Sequence, residues 1–242
     1  MHKLLETEEI PGELLKSIEF IVNNFNRDEF IGWYPIKDYL WYNILNEETL
    51  GNIHPGEKVL DLGSGAGDSV LTWSYKGYSV TGIEIDKKLY TGSKELLKQY
   101  SDIMKAPVEL FNGSYYPKKY IEERKNKERI QLIEEDLKTY LIEHSPSNIK
   151  HLKQRFKPVC NRDIYEMNNI DLKKIDIWFA YLWPYQAPSV FDMFIKYARD
   201  DAKILLISKF NVDMALRLNL ETNLGSNIFR KRKDINYSFF DQ

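Results

Sequence analysis

Val59-Leu60-Asp61-Leu62-Gly63-Ser64-Gly65-Ala66-Gly67 is the stretch on which the reading of this sequence turns. Val59–Leu62 is a short apolar run after the turn residues His54-Pro55-Gly56-Glu57, so it reads as a buried strand. Three glycines at alternate positions follow. Such a run lets the backbone turn sharply and come close to a ligand, and Asp68 then opens a helix to about Tyr75 whose first amides lack internal partners. A dinucleotide fingerprint, GxGxxG, would need its third glycine at position 68, where Asp68 stands. No Gly-Lys-Ser/Thr follows, which excludes a P-loop. The pattern is instead acid-x-GxGxG. A carboxylate two residues before the first glycine repels a pyrophosphate and attracts an ammonium group.

Outward from this loop the rhythm is regular. Gly77 ends the helix, Tyr78–Ile85 is a second apolar strand ending at Glu84, residues 86–100 form a helix, and Val108–Phe111 reads as a third strand. The rhythm resumes with a strand at Ile175–Ala180, a helix near 189–199 and a strand at Ala202–Ser208. Alternating strands and helices argue for a parallel sheet with helices on both faces. Upstream, residues 13–25 and 36–50 have helical apolar spacing, with Gly32-Trp33-Tyr34-Pro35 between them. The tail carries Asn227–Phe229 and Tyr237–Phe240 around Arg230–Lys233 and Asp234, which suggests a hairpin.

The Val59–Gly67 signature, together with Glu84 closing the second strand, resembles the class I S-adenosylmethionine-dependent methyltransferases. The resemblance is firm over residues 56–90 and extends over most of 50–210. It implies a seven-stranded, mostly parallel sheet with helices on both faces, in the order 3-2-1-4-5-7-6. It also implies an enzyme that takes S-adenosylmethionine and transfers its methyl group. By that resemblance Asp61, Gly63, Ser64, Gly65 and Gly67 cradle the methionine part, Glu84 takes both ribose hydroxyls, and Ile85 follows it along the cofactor. The chemistry suits the residues. The cofactor is cationic at sulfur, carries an amine and has no phosphate, and a carboxylate accepts two hydroxyl hydrogen bonds strongly.

Elsewhere the residues leave choices open. The adenine amino group needs an acceptor beyond the third strand. Asp163 is the first choice, if chain returning from residues 114–160 brings it there. Asn112 and Ser114 read rather as turn formers. After the fourth strand the family often carries Asn/Asp-Pro-Pro-Tyr. Here Tyr181-Leu182-Trp183-Pro184-Tyr185-Gln186 keeps the proline and aromatics and lacks the leading Asn or Asp. Tyr181, Trp183 and Tyr185, with Gln186, are therefore the acceptor-side candidates, Tyr181 also meeting the cofactor. The same stretch also reads as an aromatic turn packed under the next helix. Trp33 and Tyr34 either close over the cofactor's methionine end or staple the N-terminal helices. His54 reads as a turn residue, and Arg230–Lys233 as a solvated turn.

Composition bounds the rest. The chain of 242 residues is 43% hydrophobic and 29% charged, which fits one globular domain spanning 1–242 and excludes a disordered chain. We expect an N-terminal helical extension over 1–50 and a helical insertion over 114–160. Within the insertion Ile130, Ile133, Leu137 and Leu141 share a face, so it should cap the core or meet a second subunit. Residues 1–116 are net −7 while 117–157 are net +4, so a basic segment is set in an acidic protein. The overall charge of −2 argues against a general nucleic-acid coat protein. Cys160 is the single cysteine, which fits a reducing cytoplasm, and four scattered histidines give no zinc-type cluster. No apolar run reaches membrane-spanning length, and the acidic start does not read as a secretory signal. The expected activity is methyl transfer to a small molecule or protein side chain. An RNA methyltransferase and a non-catalytic S-adenosylmethionine-binding protein are the alternatives.

Overall fold

The computed structural model describes residues 12–24, 53–124, 162–182, 186–207 and 228–230. In chain order the elements are α1 (Gly12–Asn24), β1 (Lys58–Leu62), α2 (Asp68–Tyr75), β2 (Ser79–Glu84), α3 (Lys87–Gln99), β3 (Val108–Asn112), α4 (Lys118–Arg124), α5 (Ile164–Met167), β4 (Ile177–Tyr181), α6 (Ala187–Tyr197), β5 (Lys203–Ile207) and β6 (Ile228–Arg230). Short 3₁₀ turns lie at Ser101–Ile103 and Leu172–Lys174.

The strands form one sheet in the order β3-β2-β1-β4-β5-β6. The first five are parallel, with Leu60 opposite Thr81 on one side and Trp178 on the other. β6 runs antiparallel to β5, pairing Phe229 with Ile204. The expected order is thus met from strand three to strand five. The expected seven strands are six among the described residues, with an antiparallel strand directly beside β5. The second half of the expected tail hairpin, Tyr237–Phe240, lies outside the described residues, as do the helix expected at 36–50, Trp33 and Tyr34.

The period-two alternation of the strands sorts their side chains into two cores. Val59, Val80, Ile177, Phe179 and Leu205 belong to the core shared with α1, α2 and α3. Leu60, Leu62, Ile83, Trp178, Ala180, Ile204 and Leu206 belong to the one shared with α6 and the tyrosines of α4 and α5. Trp73 locks α2 to the sheet by edge-on contacts with Tyr78 (centroids 5.1 Å apart) and Phe179 (5.7 Å). Trp178 meets Phe194 of α6 in the same manner at 5.7 Å on the opposite face. Such pairs contribute about 0.5–1.5 kcal/mol beyond their burial. α3 starts where Asp86 accepts from the amides of Lys88 and Leu89, satisfying two of the orphan donors of its first turn.

The region expected to be an insertion divides in two. Its first part belongs to the core: Tyr116, Tyr120 and Arg124 are buried, and the Tyr120 hydroxyl donates to the Ser189 carbonyl of α6 at 3.0 Å. Residues 125–161, with the Ile130–Leu141 stripe, His144, His151 and Cys160, lie outside the described residues. The chain re-enters beside its point of departure. The Lys118 amide donates to Asp163 Oδ2 at 2.8 Å, and the Tyr165 hydroxyl donates to the Tyr115 carbonyl at 2.6 Å. No helix among the described residues is long and apolar enough to cross a membrane.

Candidate functional site

The carboxyl ends of β1, β2, β3 and β4 form the edge at which a parallel sheet of this kind binds ligands. The glycine loop leaves β1 here and bends at once toward β2. The amides of Gly63 and Ser64 both donate to the Ile83 carbonyl, at 2.9 and 3.1 Å. The Gly67 amide closes a turn onto the Ser64 carbonyl at 3.0 Å. Gly63, Gly65 and Gly67 have φ of 86°, 55° and 95°, the left-handed region that side chains oppose. Gly67 has a second reason to be glycine. A Cβ there would stand 2.7 Å from the Ser93 Cβ of α3.

Glu84, at the end of β2, holds this loop. Its Oε2 accepts from the Gly65 amide at 2.8 Å and its Oε1 from the Asp86 amide at 2.7 Å. Burial raises its pKa above the ordinary carboxylate value, against the lowering effect of these backbone donors. Each oxygen retains acceptor capacity after one such bond.

Asp61 is 1% exposed and lies at the end of β1. Burial pushes its pKa from 3.8 up to about 8; a hydrogen bond with Ser69 acts downward, and the charges of Asp68 and Glu84 act upward. Its Oδ2 is buried with no hydrogen-bond partner, and so is the Ser64 hydroxyl. A buried acceptor left unmatched costs about 1–3 kcal/mol, and among the described residues these two atoms of the glycine-loop edge have no partner. They fit a cationic ligand group beside a hydrogen-bonding one.

The β3 side of the edge is tied down by Asn112. Its Nδ2 donates to the carbonyls of Glu84 (2.9 Å) and Ile85 (3.3 Å), while Ser114 Oγ accepts from the Tyr116 amide at 3.2 Å. Both are the turn formers their sequence context suggests. Asp163 does sit beside the end of β3, since a Cβ on Gly113 would meet Ile164 Cδ1 at 2.4 Å. Its carboxylate, however, caps α5 through the amides of Tyr165 and Glu166 and also accepts from Lys118. Ile85 is 58% exposed at the end of β2, and Tyr181 is 38% exposed at the end of β4. Two of the three exposed large apolar residues among the described residues therefore stand along this one edge. Leu182 is buried, Gln186 leads into α6, and Trp183 and Tyr185 lie outside the described residues. His54 is a turn residue, its amide donating to Glu57 Oε2 at 2.9 Å. No group of three or more His, Cys, Asp or Glu among the described residues is placed to hold a metal.

Two residues at this edge escape a reading by motif. Ser69 bonds Asp61 from the first turn of α2. Tyr115 brings its ring against the first glycine, where a Cβ on Gly63 would stand 3.9 Å from Tyr115 Cε1. The Tyr115-Tyr116-Pro117 run straight after Asn112-Gly113-Ser114 was the available signal for the second.

Solved structures offer a fold-level comparison. An RNA methyltransferase from Salinibacter ruber in complex with S-adenosyl-L-homocysteine is similar at 13% identity and a TM-score of 0.45, over 84% of this chain and 97% of that one. A methyltransferase from Geobacter sulfurreducens is similar at 13% identity and a TM-score of 0.48, over 94% and 91%. An O-methyltransferase from Bacillus cereus is similar at 12% identity and a TM-score of 0.46, over 84% and 68%. No family model matches the chain, and no curated protein matches its sequence. At these identities and scores the likeness is one of outline.

Proposed function

We propose that the chain is an S-adenosylmethionine-dependent methyltransferase acting on a small molecule or a protein side chain. The observation that carries this reading is the pairing of two buried carboxylates around one glycine loop. Asp61 offers an unmatched Oδ2 at the end of β1, and Glu84 is held by backbone amides with acceptor capacity left on both oxygens. An oriented carboxylate of that kind suits a vicinal diol, and a buried one suits an ammonium or sulfonium group. The loop is poorly made for a pyrophosphate. The amides of Gly63, Ser64, Gly65 and Gly67 all donate within the protein, and the acidic side chains Asp61, Asp68 and Glu84 surround them with oxygen acceptors that a phosphate cannot pair with.

In this reading Asp61, Gly63, Ser64, Gly65 and Gly67 bind the methionine part of the cofactor and Glu84 the ribose. Ile85 covers one face of the adenine. Asp163 Oδ2, which keeps one acceptor position beside its bond from Lys118, takes the adenine amino group. Tyr181, Trp183 and Tyr185 form the acceptor side, where aromatic faces stabilise cationic groups. When bound, the cofactor would supply a methyl group activated by its sulfonium, with a neutral thioether as the leaving group. What the protein contributes is alignment of donor and acceptor and exclusion of water.

Calorimetry with S-adenosylmethionine, S-adenosylhomocysteine, NADH and ATP tests the cofactor. Binding of the first two alone is expected, and tight binding of NADH with neither of them would sink the reading. Incubating a cell extract with methyl-labelled cofactor, then separating protein, RNA and small molecules, tests the acceptor. Label confined to RNA would replace the acceptor class proposed here, and cofactor binding without any labelled product would indicate a binding protein.

A further inference from the structure

The path of the chain after β3 places Tyr115 where neither its strand nor its neighbours in sequence would put it. β3 is separated from β1 by β2, so about 10 Å lies between them at the usual strand spacing of ~4.8 Å. Tyr115 comes three residues after Asn112, the last residue of β3, yet its ring packs beside Gly63 at the end of β1. The ring therefore passes over the end of β2, where Glu84 stands. The crossing is pinned from several sides. The Gly113 amide donates to the Glu84 carbonyl at 2.9 Å. Asn112 Nδ2 donates to the same carbonyl at 2.9 Å, and the Tyr165 hydroxyl holds the Tyr115 carbonyl at 2.6 Å. Tyr115 leans on Tyr116 (centroids 4.5 Å), which is stacked on Tyr120 (5.7 Å, 10° between planes), and Tyr120 is fastened to α6.

We propose that Tyr115 is a positioning residue for Glu84, its ring closing the β3 side of the cleft so that water does not compete for the carboxylate's remaining acceptor sites. This rests on the cofactor reading above and extends it to a residue outside the glycine signature. The groups facing Glu84 agree with it. Among the described residues, Asp86 from the start of α3, Asp61 from β1 and Tyr115 from the crossing are the titratable groups coupled to Glu84, and the cation Arg124 of α4 acts on Tyr115. The Tyr115 hydroxyl is itself pushed up to about 12 by burial, with the charge of Glu84 also acting upward and a hydrogen bond with Tyr116 and the charge of Arg124 acting downward. Tyr115 is neutral below that value. Its influence on Glu84 in the physiological range is therefore exclusion of solvent rather than charge.

Two measurements separate this role from plain packing. The Glu84 carboxyl titration is followed by ¹³C NMR in the ligand-free protein, in the native chain, Tyr115→Ala and Tyr115→Phe, each checked for folding by thermal melting. Tyr115→Ala is expected to move the Glu84 midpoint to lower pH by hydrating it, and Tyr115→Phe to leave it in place because the ring remains. Affinity for S-adenosylhomocysteine is then measured against pH. About a tenfold loss is expected in Tyr115→Ala with its acid limb displaced in the same direction, and less than a twofold change in Tyr115→Phe. An unmoved Glu84 midpoint in folded Tyr115→Ala overturns the proposal, as does a Tyr115→Phe protein that behaves like Tyr115→Ala. A native chain that shows the NMR shift yet never binds S-adenosylhomocysteine upholds the shielding and removes the cofactor reading instead.

Discussion

The amide of Gly65 donates to the carboxylate of Glu84 across 2.8 Å, so the middle glycine of the loop and the acid ending the next strand form one unit. Removing the acid therefore does two things. Glu84→Ala frees the Gly65 and Asp86 amides and deletes the ribose acceptor. A hydrogen bond to a charged group contributes about 1.5–3 kcal/mol, so cofactor affinity should fall roughly ten- to a hundredfold. Glu84→Gln should be no milder, because its amide would set a donor against one of two backbone donors. Calorimetry with S-adenosylhomocysteine checks both variants, and unchanged affinity in a folded Glu84→Ala protein would remove the assignment.

Asp61 makes the ligand-free protein sensitive to pH in a direction opposite to that of a salt-bridged acid. Its folded pKa, about 8, lies above its ordinary 3.8. Between those values the folded state holds a proton that the unfolded state has released. Stability is therefore highest below about pH 4, as far as this group is concerned, and declines as pH rises toward 8. Asp61→Asn keeps a neutral, isosteric side chain. It should match the native melting temperature only near pH 3.5 and exceed it increasingly as pH rises to 8.5, each kcal/mol amounting to about 2–4 °C in a chain of this size. Melting curves at the two pH values decide; an equal shift at both would mean that the proton on Asp61 is not the cause.

A cationic ligand placed beside Asp61 would favour its charged form. Binding S-adenosylmethionine at pH 7 should then expel a proton, approaching one per site, from a carboxyl that was protonated in the empty protein. Titrations in phosphate and in Tris, whose ionisation heats differ, should give different apparent enthalpies in the native chain. The difference should shrink in Asp61→Asn. Identical heats in the two buffers for the native chain would argue that Asp61 does not meet the ammonium or sulfonium group.

The third glycine of the loop is expected to matter for folding more than for the ligand. Gly67→Ala combines a φ of 95° with a Cβ placed 2.7 Å from that of Ser93 and 3.1 Å from its Cα. Left-handed backbone alone costs a side chain about 1–3 kcal/mol, and the clash adds to it. Gly63→Ala meets only the edge of Tyr115 at 3.9 Å, so it should carry the backbone cost alone. Denaturant titration should rank Gly67→Ala as the more damaging, with partial recovery on adding Ser93→Gly. Equal losses from the two alanines would deny that α2 and α3 pack through this contact.

What the sequence made legible follows the range of the interactions involved. The strand, the glycine loop and the acid at the next strand's end are contiguous between Val59 and Glu84, so motif and periodicity suffice to read them. The contact of Tyr115 with Gly63 spans 52 positions and has no local pattern. The packing of residues 116–124 has no local pattern for a related reason. Tyr120 meets Ser189 of α6 across 69 positions, a pairing that no short stretch of sequence announces. Asp163 carries a second signal that competes with a ligand role. Asp163-Ile164-Tyr165-Glu166 is the pattern of a helix-capping box, and the capping bonds from Tyr165 and Glu166 are present.

The paired fastenings at Lys118–Asp163 and Tyr115–Tyr165 close the base of the span between residues 125 and 161 as a clasp closes a loop of cord. Because loop closure grows only logarithmically in cost, each doubling of a clasped segment adds about 0.6 kcal/mol. The carboxylates of the cleft lie on β1 and β2, strands laid down before the chain reaches that span. Where the chain leaves the core and where it returns are thus set by the same four residues, which stand next to the binding edge.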